Sequence, residues 1–238
     1  MTKIYEALDN VSKERADAAP KRSALPGKPL PKGLVDKLLS LYQRLETGMA
    51  ERRCGVVAIA GAQAGDDSAK LACELAKLAA GRLRRRILLL SAGSAKCTSQ
   101  LVPGAAPGGW EEMAQDGVLR EELFKPYGDS SLFISVMPGG GASLPSILAS
   151  PLLPGILDAM RERFDMILID TPPLGSSQDA VQLAAVADGV VLVVNAGKTR
   201  WQAVKRWMEE IAMQHGKVVG VLFNKRRDYI PHWLYRRL

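Results

Sequence analysis

The sequence contains few of the residues that build metal centres or disulfide frameworks. It has two histidines and three cysteines, and Cys54, Cys73 and Cys97 lack the Cys-x-x-Cys spacing of zinc and redox sites. An odd number of cysteines, two of them in apolar segments, is typical of small core residues in a reducing compartment. His215 and His232 lie far apart in the sequence, and we predict no metal at either.

Long apolar runs are also lacking. No run approaches the roughly 20 residues that a membrane-spanning helix needs, and the N-terminus has polar residues where a signal peptide has its apolar stretch. A Gly-x-Ser-x-Gly elbow with a plausible histidine partner is absent too, which argues against a hydrolase. These absences predict a cytoplasmic protein that does not cross a membrane by itself.

The most informative absence is one lysine. Residues 55–70, GVVAIAGAQAGDDSAK, resemble a strand, a phosphate-binding loop and a helix start. A working loop needs glycines that let backbone N–H groups surround the phosphates, then a lysine, then a hydroxyl for Mg²⁺. The apolar positions of the following helix set the register. After Gly65, this register places Asp67, Ser68 and Ala69 where glycine, lysine and serine or threonine would stand.

Two acidic residues lie at the start of this helix. A one-residue slide of the register would put Asp67 itself at the lysine position, so neither alignment supplies the lysine. A helix N-terminus favours anions, and we expect Asp66 and Asp67 to cap it with their carboxylates. Their charges would also repel a triphosphate. Lys70 would have to fold back over the loop to help, so we predict no measurable ATP binding.

A second segment has the form of an acidic nucleotide motif. Residues 164–173, FDMILIDTPP, predict a buried strand that ends in Asp170. A carboxylate at that position could orient a Mg²⁺-bound water. Alternatively, the Asp-Thr-Pro-Pro sequence only turns the chain out of the strand, because proline cannot continue a ladder. The sequence leaves both interpretations open.

Several further motifs accompany these two segments. They are KIYEAL at 3–8, SLPSILASP at 143–151, ADGVVLVV at 187–194, GKTR at 197–200 and GVLFNK at 220–225. Together with ILIDTPP at 167–173, they resemble the bacterial tyrosine kinases of exopolysaccharide and capsule assembly, P-loop ATPases related to MinD. The resemblance covers residues 34–238 and implies ATP and Mg²⁺ as cofactors and a membrane-embedded polysaccharide co-polymerase as partner.

The chain departs from the pattern of this family at the positions that carry the chemistry. The second acidic strand of the family usually ends in two aspartates, one for Mg²⁺ and one as base. The matching residues 86–93, RILLLSAG, offer Ser91 and Gly93 instead. Both carboxylates are therefore missing, in addition to the loop lysine.

Two departures concern assembly and phosphorylation. The family's oligomerising helix carries an acidic residue followed by two arginines at three-residue steps, where this chain has Ser40, Gln43 and Glu46. The family's C-terminal tyrosine cluster is reduced to Tyr229 and Tyr235, the candidate phosphate acceptors. The oligomeric state is therefore left open by the sequence.

The combined losses predict a pseudokinase with no catalytic residue and no cofactor, because each lost element contributes to one electrostatic cradle. We predict a kinase-like regulator or partner of a co-polymerase or of an active kinase homologue. The alternative is an active ATP-dependent tyrosine autokinase, with metal at Asp170 only if nucleotide binds. The degenerate nucleotide site consists of Gly65, Asp67, Ser68, Ala69 and Asp170.

The chain divides into four segments. We predict an amphipathic helix within 1–17, a proline-rich linker at 18–33, an α/β domain at 34–225 and a basic, aromatic tail at 226–238. Helical patterns alternate with apolar strand patterns, which predicts a doubly wound, mostly parallel sheet of the P-loop NTPase type. The strands are expected near 54–60, 86–92, 132–136, 165–169, 189–194 and 217–223.

The net charge of +7 comes from the two ends of the chain. Residues 34–224 are neutral overall, which argues against a nucleic-acid binder with a basic face on its domain. Basic ends that also carry apolar and aromatic residues suit an anionic membrane surface or an acidic partner, so peripheral attachment at the inner face of the cell membrane is one prediction. The alternative is that both ends are solvated tails.

Overall fold

The computed structural model describes residues 32–49, 54–93, 101, 108–138, 143–176 and 178–225. The predicted N-terminal helix, nearly all of the proline-rich linker, Cys97 and the tail with Tyr229 and Tyr235 lie outside this part of the chain. The predicted strands are all present, within one or two residues of their expected bounds. With one additional strand, β3, the strands are β1 (Gly55–Gly61), β2 (Ile87–Ser91), β3 (Lys125–Pro126), β4 (Leu132–Val136), β5 (Met166–Asp170), β6 (Gly189–Asn195) and β7 (Val218–Asn224).

The strands of the described residues form one sheet in the order β3-β4-β2-β5-β1-β6-β7. All neighbours are parallel except β3 and β4, which are antiparallel. The two-residue edge strand β3 was not predicted, because so short a pairing has no periodic sequence signal. The predicted fold, a doubly wound and mostly parallel α/β sheet, is confirmed.

Helices cover both faces of the sheet, which is why β1, β2, β5 and β6 are continuous apolar runs buried along their whole length. Val56 and Ala58 of β1 belong to one hydrophobic cluster, whereas Val57 and Ile59 belong to the other. The helices are α1 (Lys32–Gly48), α2 (Ser68–Arg82), α3 (Trp110–Asp116), α4 (Ser143–Leu148), α5 (Leu153–Arg161), α6 (Gln178–Val186) and α7 (Trp201–Met213).

Helix α1 covers one face of the sheet through an amphipathic stripe. Val35, Leu38, Tyr42 and Leu45 are buried and recur at three- and four-residue steps, as expected for one side of a helix. The helix packs against α2 and β1. The sequence predicted it over 33–52, whereas it ends at Gly48, and residues 50–53 are not described.

The strand order places the candidate nucleotide segments side by side. β5 lies at the centre of the sheet between β2 and β1, and Asp170 at its end is in register with Ile59 and Ser91. Ligand crevices of open α/β sheets lie at this carboxyl edge. The prediction of a buried strand that ends in Asp170 is confirmed, and this strand lies next to β1, which leads into the loop. None of the described helices combines the length and apolarity needed to span a bilayer.

Candidate functional site

The loop between β1 and α2 contains two residues in the left-handed backbone region. Gly65 has φ +89° and Asp67 has φ +59°. Glycine occupies this region most readily, and aspartate is one of the few other residues that tolerate it. The backbone at Asp67 is thus one that favours glycine, in line with the register that puts Asp67 at a glycine position.

The side chain of Asp66 points into the loop. Asp66 is only 2% exposed, and its Oδ2 accepts a hydrogen bond from the backbone N–H of Gln63 at 2.8 Å. Burial raises the pKa of this carboxyl, while the hydrogen bond from Gln63 lowers it. In a phosphate-binding loop the backbone N–H groups point at the bound anion. Here a carboxylate of the chain itself receives one of them.

The expected helix caps are not formed. Asp67 is the residue before α2, yet its carboxylate makes no capping hydrogen bond. A capping side chain works from an extended backbone, and the left-handed conformation of Asp67 removes that geometry. Asp67 Oδ2 pairs instead with Lys225 Nζ at 2.8 Å, and the carboxylate of Asp66 is directed to Gln63. The capping prediction was therefore wrong for both residues.

Three side chains from the ends of β6 and β7 hold the outer side of the loop. Asn195 Nδ2 and Lys225 Nζ donate to the carbonyl of Gly65 at 3.0 and 3.1 Å, and Asn224 Nδ2 donates to the carbonyl of Asp66 at 3.1 Å. No local sequence pattern indicated these roles. The available signal was position, since all three lie at or just after the carboxyl ends of β6 and β7, on the same edge of the sheet as the loop.

The remaining loop positions present small groups. Ser68 is the first residue of α2 and is buried. Its Oγ lies so close to Gly61 that a Cβ added to that glycine would be 3.0 Å away. Ala69 is half-buried and offers a methyl group where a hydroxyl would bind Mg²⁺, whereas Lys70 is exposed. The only described ammonium group that contacts the loop is therefore that of Lys225.

The acidic strand end lies directly beside this loop. Asp170 and Thr171 are both buried, the N–H of Thr171 donates to the carbonyl of Ile59 at 3.4 Å, and the N–H of Leu174 donates to that of Gly61 at 2.9 Å. The chain after Asp170 therefore runs along the base of the loop. The fold brings Asp170, Gly65, Asp67, Ser68 and Ala69 to one edge of the sheet.

Position 93, where the family pattern has an aspartate, lies against the backbone after β5. A Cβ built on Gly93 would be 2.5 Å from the carbonyl oxygen of Thr171 and 3.1 Å from the nitrogen of Pro172. No real Cβ tolerates so short a contact. A side chain at this position would require the 171–172 backbone to move.

A cavity of about 380 Å³ opens between the loop, the segment after Asp170 and helix α7. Its lining includes the loop residues Gln63 and Ala64, together with Trp207 of α7. Arg206 is the one charged residue among those that line it, and its guanidinium lies over the Trp207 ring at 5.1 Å and binds Glu210 at 2.7 Å. Within the described residues no group of three or more His, Cys, Asp or Glu side chains is placed to hold a metal.

Comparison with known proteins identifies the relatives of this chain. No protein-family model matches it. It is 29% identical over 178 residues to the succinoglycan biosynthesis transport protein ExoP of Rhizobium meliloti (strain 1021), over 71% of this chain and 22% of that protein. It is 35% identical over 75 residues to the tyrosine-protein kinase CpsD of Streptococcus agalactiae, over 32% of this chain and 33% of CpsD. The chain is therefore similar to proteins named as bacterial tyrosine kinases.

A solved tyrosine kinase domain has the same fold. The kinase domain of the Escherichia coli tyrosine kinase ETK superimposes with a TM-score of 0.68 over 91% of this chain and 89% of that domain, at 15% identity. The fold is that of a P-loop NTPase. In this fold the nucleotide-binding loop joins a strand to the following helix, as the loop between β1 and α2 does here. The chain matches about a fifth of ExoP and a third of CpsD.

Proposed function

We propose that this chain is a pseudokinase of exopolysaccharide or capsule biosynthesis, which regulates or accompanies a membrane-embedded polysaccharide co-polymerase without transferring phosphate. The name of ExoP, a succinoglycan biosynthesis transport protein, supports the biosynthetic setting, and that of CpsD supports the likeness to tyrosine kinases. The observation that carries the non-catalytic role is the buried carboxylate of Asp66, which accepts the Gln63 N–H inside the loop. A bound triphosphate would need that N–H and that space.

Electrostatics oppose a nucleotide in this loop. Two like unit charges 4 Å apart repel by about 4 kcal/mol at an effective dielectric constant of 20, so a phosphate beside Asp66 is strongly disfavoured. The Lys225 ammonium lies at the loop but already pairs with Asp67. The second acidic motif is absent as well, and the backbone at Thr171 fills the space that a side chain at position 93 would need.

Calorimetric titration of the full chain with ATP and Mg²⁺ tests this proposal. The unmodified protein should give no binding heat at physiological nucleotide concentration. The double change Asp67→Gly with Ser68→Lys should partly restore binding, because it supplies the missing glycine and lysine. Adding Asp66→Ala should strengthen binding further, because the competing carboxylate leaves the loop.

The matched control is Asp129→Ala, which removes an exposed carboxylate far along the chain from the loop. Added to the double variant, it should leave ATP binding unchanged. Tight ATP binding by the unmodified protein would overturn the proposal that the chain is a pseudokinase. Equal binding with and without Asp66→Ala would show that the carboxylate is not the obstacle.

One observation favours the second candidate, an active tyrosine autokinase. Lys225 Nζ lies 3.1 Å from the Gly65 carbonyl, so this lysine, which directly follows β7, could contact the phosphates in place of the missing loop lysine. In that case ATP binds the unmodified protein, Lys225→Met abolishes binding, and Asp170 would hold Mg²⁺. The two candidates therefore give opposite results in the same titration.

The basic tail is the proposed means of attachment at the cytoplasmic face of the membrane. Residues 226–238 combine arginines with Trp233 and Tyr235, and a basic residue near an anionic membrane contributes about 1 kcal/mol. Deleting 226–238 should weaken recovery with the membrane fraction or with the co-polymerase while the melting temperature stays the same. If the truncated protein melts far earlier and membrane recovery is unchanged, the tail is structural.

The tail tyrosines are the proposed phosphate acceptors for an active kinase homologue. Incubation of the full chain with such a homologue and ATP should label Tyr229 or Tyr235, as read by peptide mass spectrometry. Tyr127 is the matched control, since it is buried in the domain. Labelling that persists after both tail tyrosines are changed to phenylalanine would contradict this assignment.

A further inference from the structure

A groove separates helix α1 from the edge strand β7. Its volume is about 590 Å³; its sheet side is apolar, and its α1 side carries both apolar and charged residues. Leu41, Leu45 and Met49 line it on the α1 side, and Val191, Gly220 and Leu222 line it on the sheet side. The groove runs along α1 from Asp36 to Gly48, which is about 20 Å of helix.

The groove exists because β7 has an irregular pairing and a glycine. Val190 pairs with Val218 and Val191 pairs with Gly220, so Val219 is an extra residue in the ladder. Val191 belongs to the cluster under α1 and α2, and its partner Gly220 contributes no side chain to that face. A Cβ added to Gly220 would meet no heavy atom within 4 Å. Helix α1 itself packs on α2 and β1, which leaves this part of the face uncovered.

The strand beside the groove is also open at its edge. β7 is the last strand in the sheet order of the described residues, and its sequence VVGVLFN has no charge and no proline. Val219 is 40% and Phe223 is 62% exposed. Long apolar edge strands of this kind are normally covered or blunted, since they otherwise pair with other chains. A covering segment is therefore expected.

We propose that the N-terminal segment 3–15 of the same chain docks in this groove. The sequence pattern predicts an amphipathic helix there, with Ile4, Leu8 and Val11 on one side. Thirteen helical residues span about 20 Å, which equals the length of the groove. A helix this short is marginal alone in water and needs a surface to bury its apolar side. Binding of a short amphipathic helix in an apolar groove is a common mode of recognition.

Connection and charge favour this segment over the C-terminal tail. Residues 16–31 can span up to about 50 Å when extended, so segment 3–15 can return along α1 from its start at Lys32. The α1 side of the groove presents Asp36, Lys37 and Arg44, a net positive wall. Segment 3–15 has three acidic and three basic residues, whereas the tail 226–238 has four arginines and one aspartate and would be repelled.

Hydrogen–deuterium exchange of the full chain, with Gly220→Trp as the blocking variant, tests the proposal. The new side chain enters open space, and the backbone at Gly220 is not left-handed, so the fold should persist. Unchanged amide exchange in β1 and β5 would show that it does. Gly155→Trp is the matched control, since an added Cβ there also meets nothing within 4 Å. Amides of residues 3–15 should exchange about tenfold faster in the Gly220→Trp protein and at the wild-type rate in the control.

A second variant changes segment 3–15 instead of the groove, so it leaves the residues of the described domain unaltered. Leu8→Asp puts a charge on the apolar side of segment 3–15, so the amides of residues 219–223 should exchange faster while those of β1 and β5 do not. The proposal is overturned if segment 3–15 is unprotected in the wild type, or if its protection survives Gly220→Trp. Protection that falls on dilution would assign the groove to a second copy, because docking within one chain does not depend on concentration. Protection of 226–238 that is lost in Gly220→Trp would assign it to the tail.

Discussion

An aspartate lies at each end of the parallel strands, and the two carboxylates have different partners. At the amino edge, Asp188 Oδ2 accepts the N–H of Val56 at 2.8 Å, and the guanidinium of Arg161 binds both Asp188 oxygens at 2.9 and 3.0 Å. At the carboxyl edge, Asp66 accepts the N–H of Gln63 at 2.8 Å, but the nearby cation of Lys225 contacts Asp67 instead.

This difference in partners distinguishes an aspartate that stabilises the fold, Asp188, from one that lies at the candidate site, Asp66. The Asp188 carboxylate has a guanidinium partner, so its charge is matched where the chain enters β1 and β6. The Asp66 carboxylate is buried and accepts the Gln63 N–H, and the ammonium of Lys225, which pairs with Asp67, lowers its pKa without being bound to it as Arg161 is to Asp188. A buried carboxylate without a bound guanidinium therefore lies where ligands of this fold bind, and its charge opposes a phosphate.

The largest expected effect comes from breaking the matched pair. Arg161→Leu leaves the Asp188 carboxylate buried without its cation, and removing one partner of a buried pair costs about 3 kcal/mol or more. Urea denaturation should show this loss in the free energy of unfolding. Asp158→Ala is the control, because the Asp158 side chain is 70% exposed and pairs with the same arginine; it should cost less than about 1 kcal/mol. Equal losses in both variants would remove the distinction between the edges.

A second test restores an acid at the carboxyl edge. Gly93→Asp returns a carboxylate to the position where the family pattern has one, but its Cβ would lie 2.5 Å from the Thr171 carbonyl. We expect a loss of roughly 1 to 3 kcal/mol, as for other overpacked sites, measured by the same denaturation. Gly108→Asp is the matched control, since nothing lies within 4 Å of its added Cβ. A Gly93→Asp protein as stable as the wild type would show that this edge can still accommodate the acidic motif.

The strands and the position of Asp170 could be predicted from the sequence, whereas the contacts of the loop side chains could not. Continuous apolar runs such as 189–194 identify buried parallel strands, and Asp170 was correctly expected beside the loop because strand ends of a doubly wound sheet meet at one edge. The capping role of Asp66 and Asp67 was wrong, because the backbone at Asp67 is left-handed. The contact of Lys225 with Gly65 joins residues 160 positions apart, and no local pattern specifies such a pair.

The smallest expected effect is the pH dependence that Asp66 adds. Burial raises the pKa of Asp66 in the folded protein, so the folded state holds this proton more tightly than the unfolded chain does. The stability it contributes is fully present below the ordinary aspartate pKa of about 3.9 and is lost as the pH rises through the raised value. Asp66→Asn keeps an acceptor for the Gln63 N–H but cannot ionise, so relative to the wild type it should gain stability as the pH rises from about 3 to 7. Unfolding free energies of both proteins across that range provide the measurement, with Asp158→Asn as the exposed control. If the two pH profiles are parallel, the Asp66 carboxylate is not destabilised by its burial, and its charge no longer explains the exclusion of nucleotide.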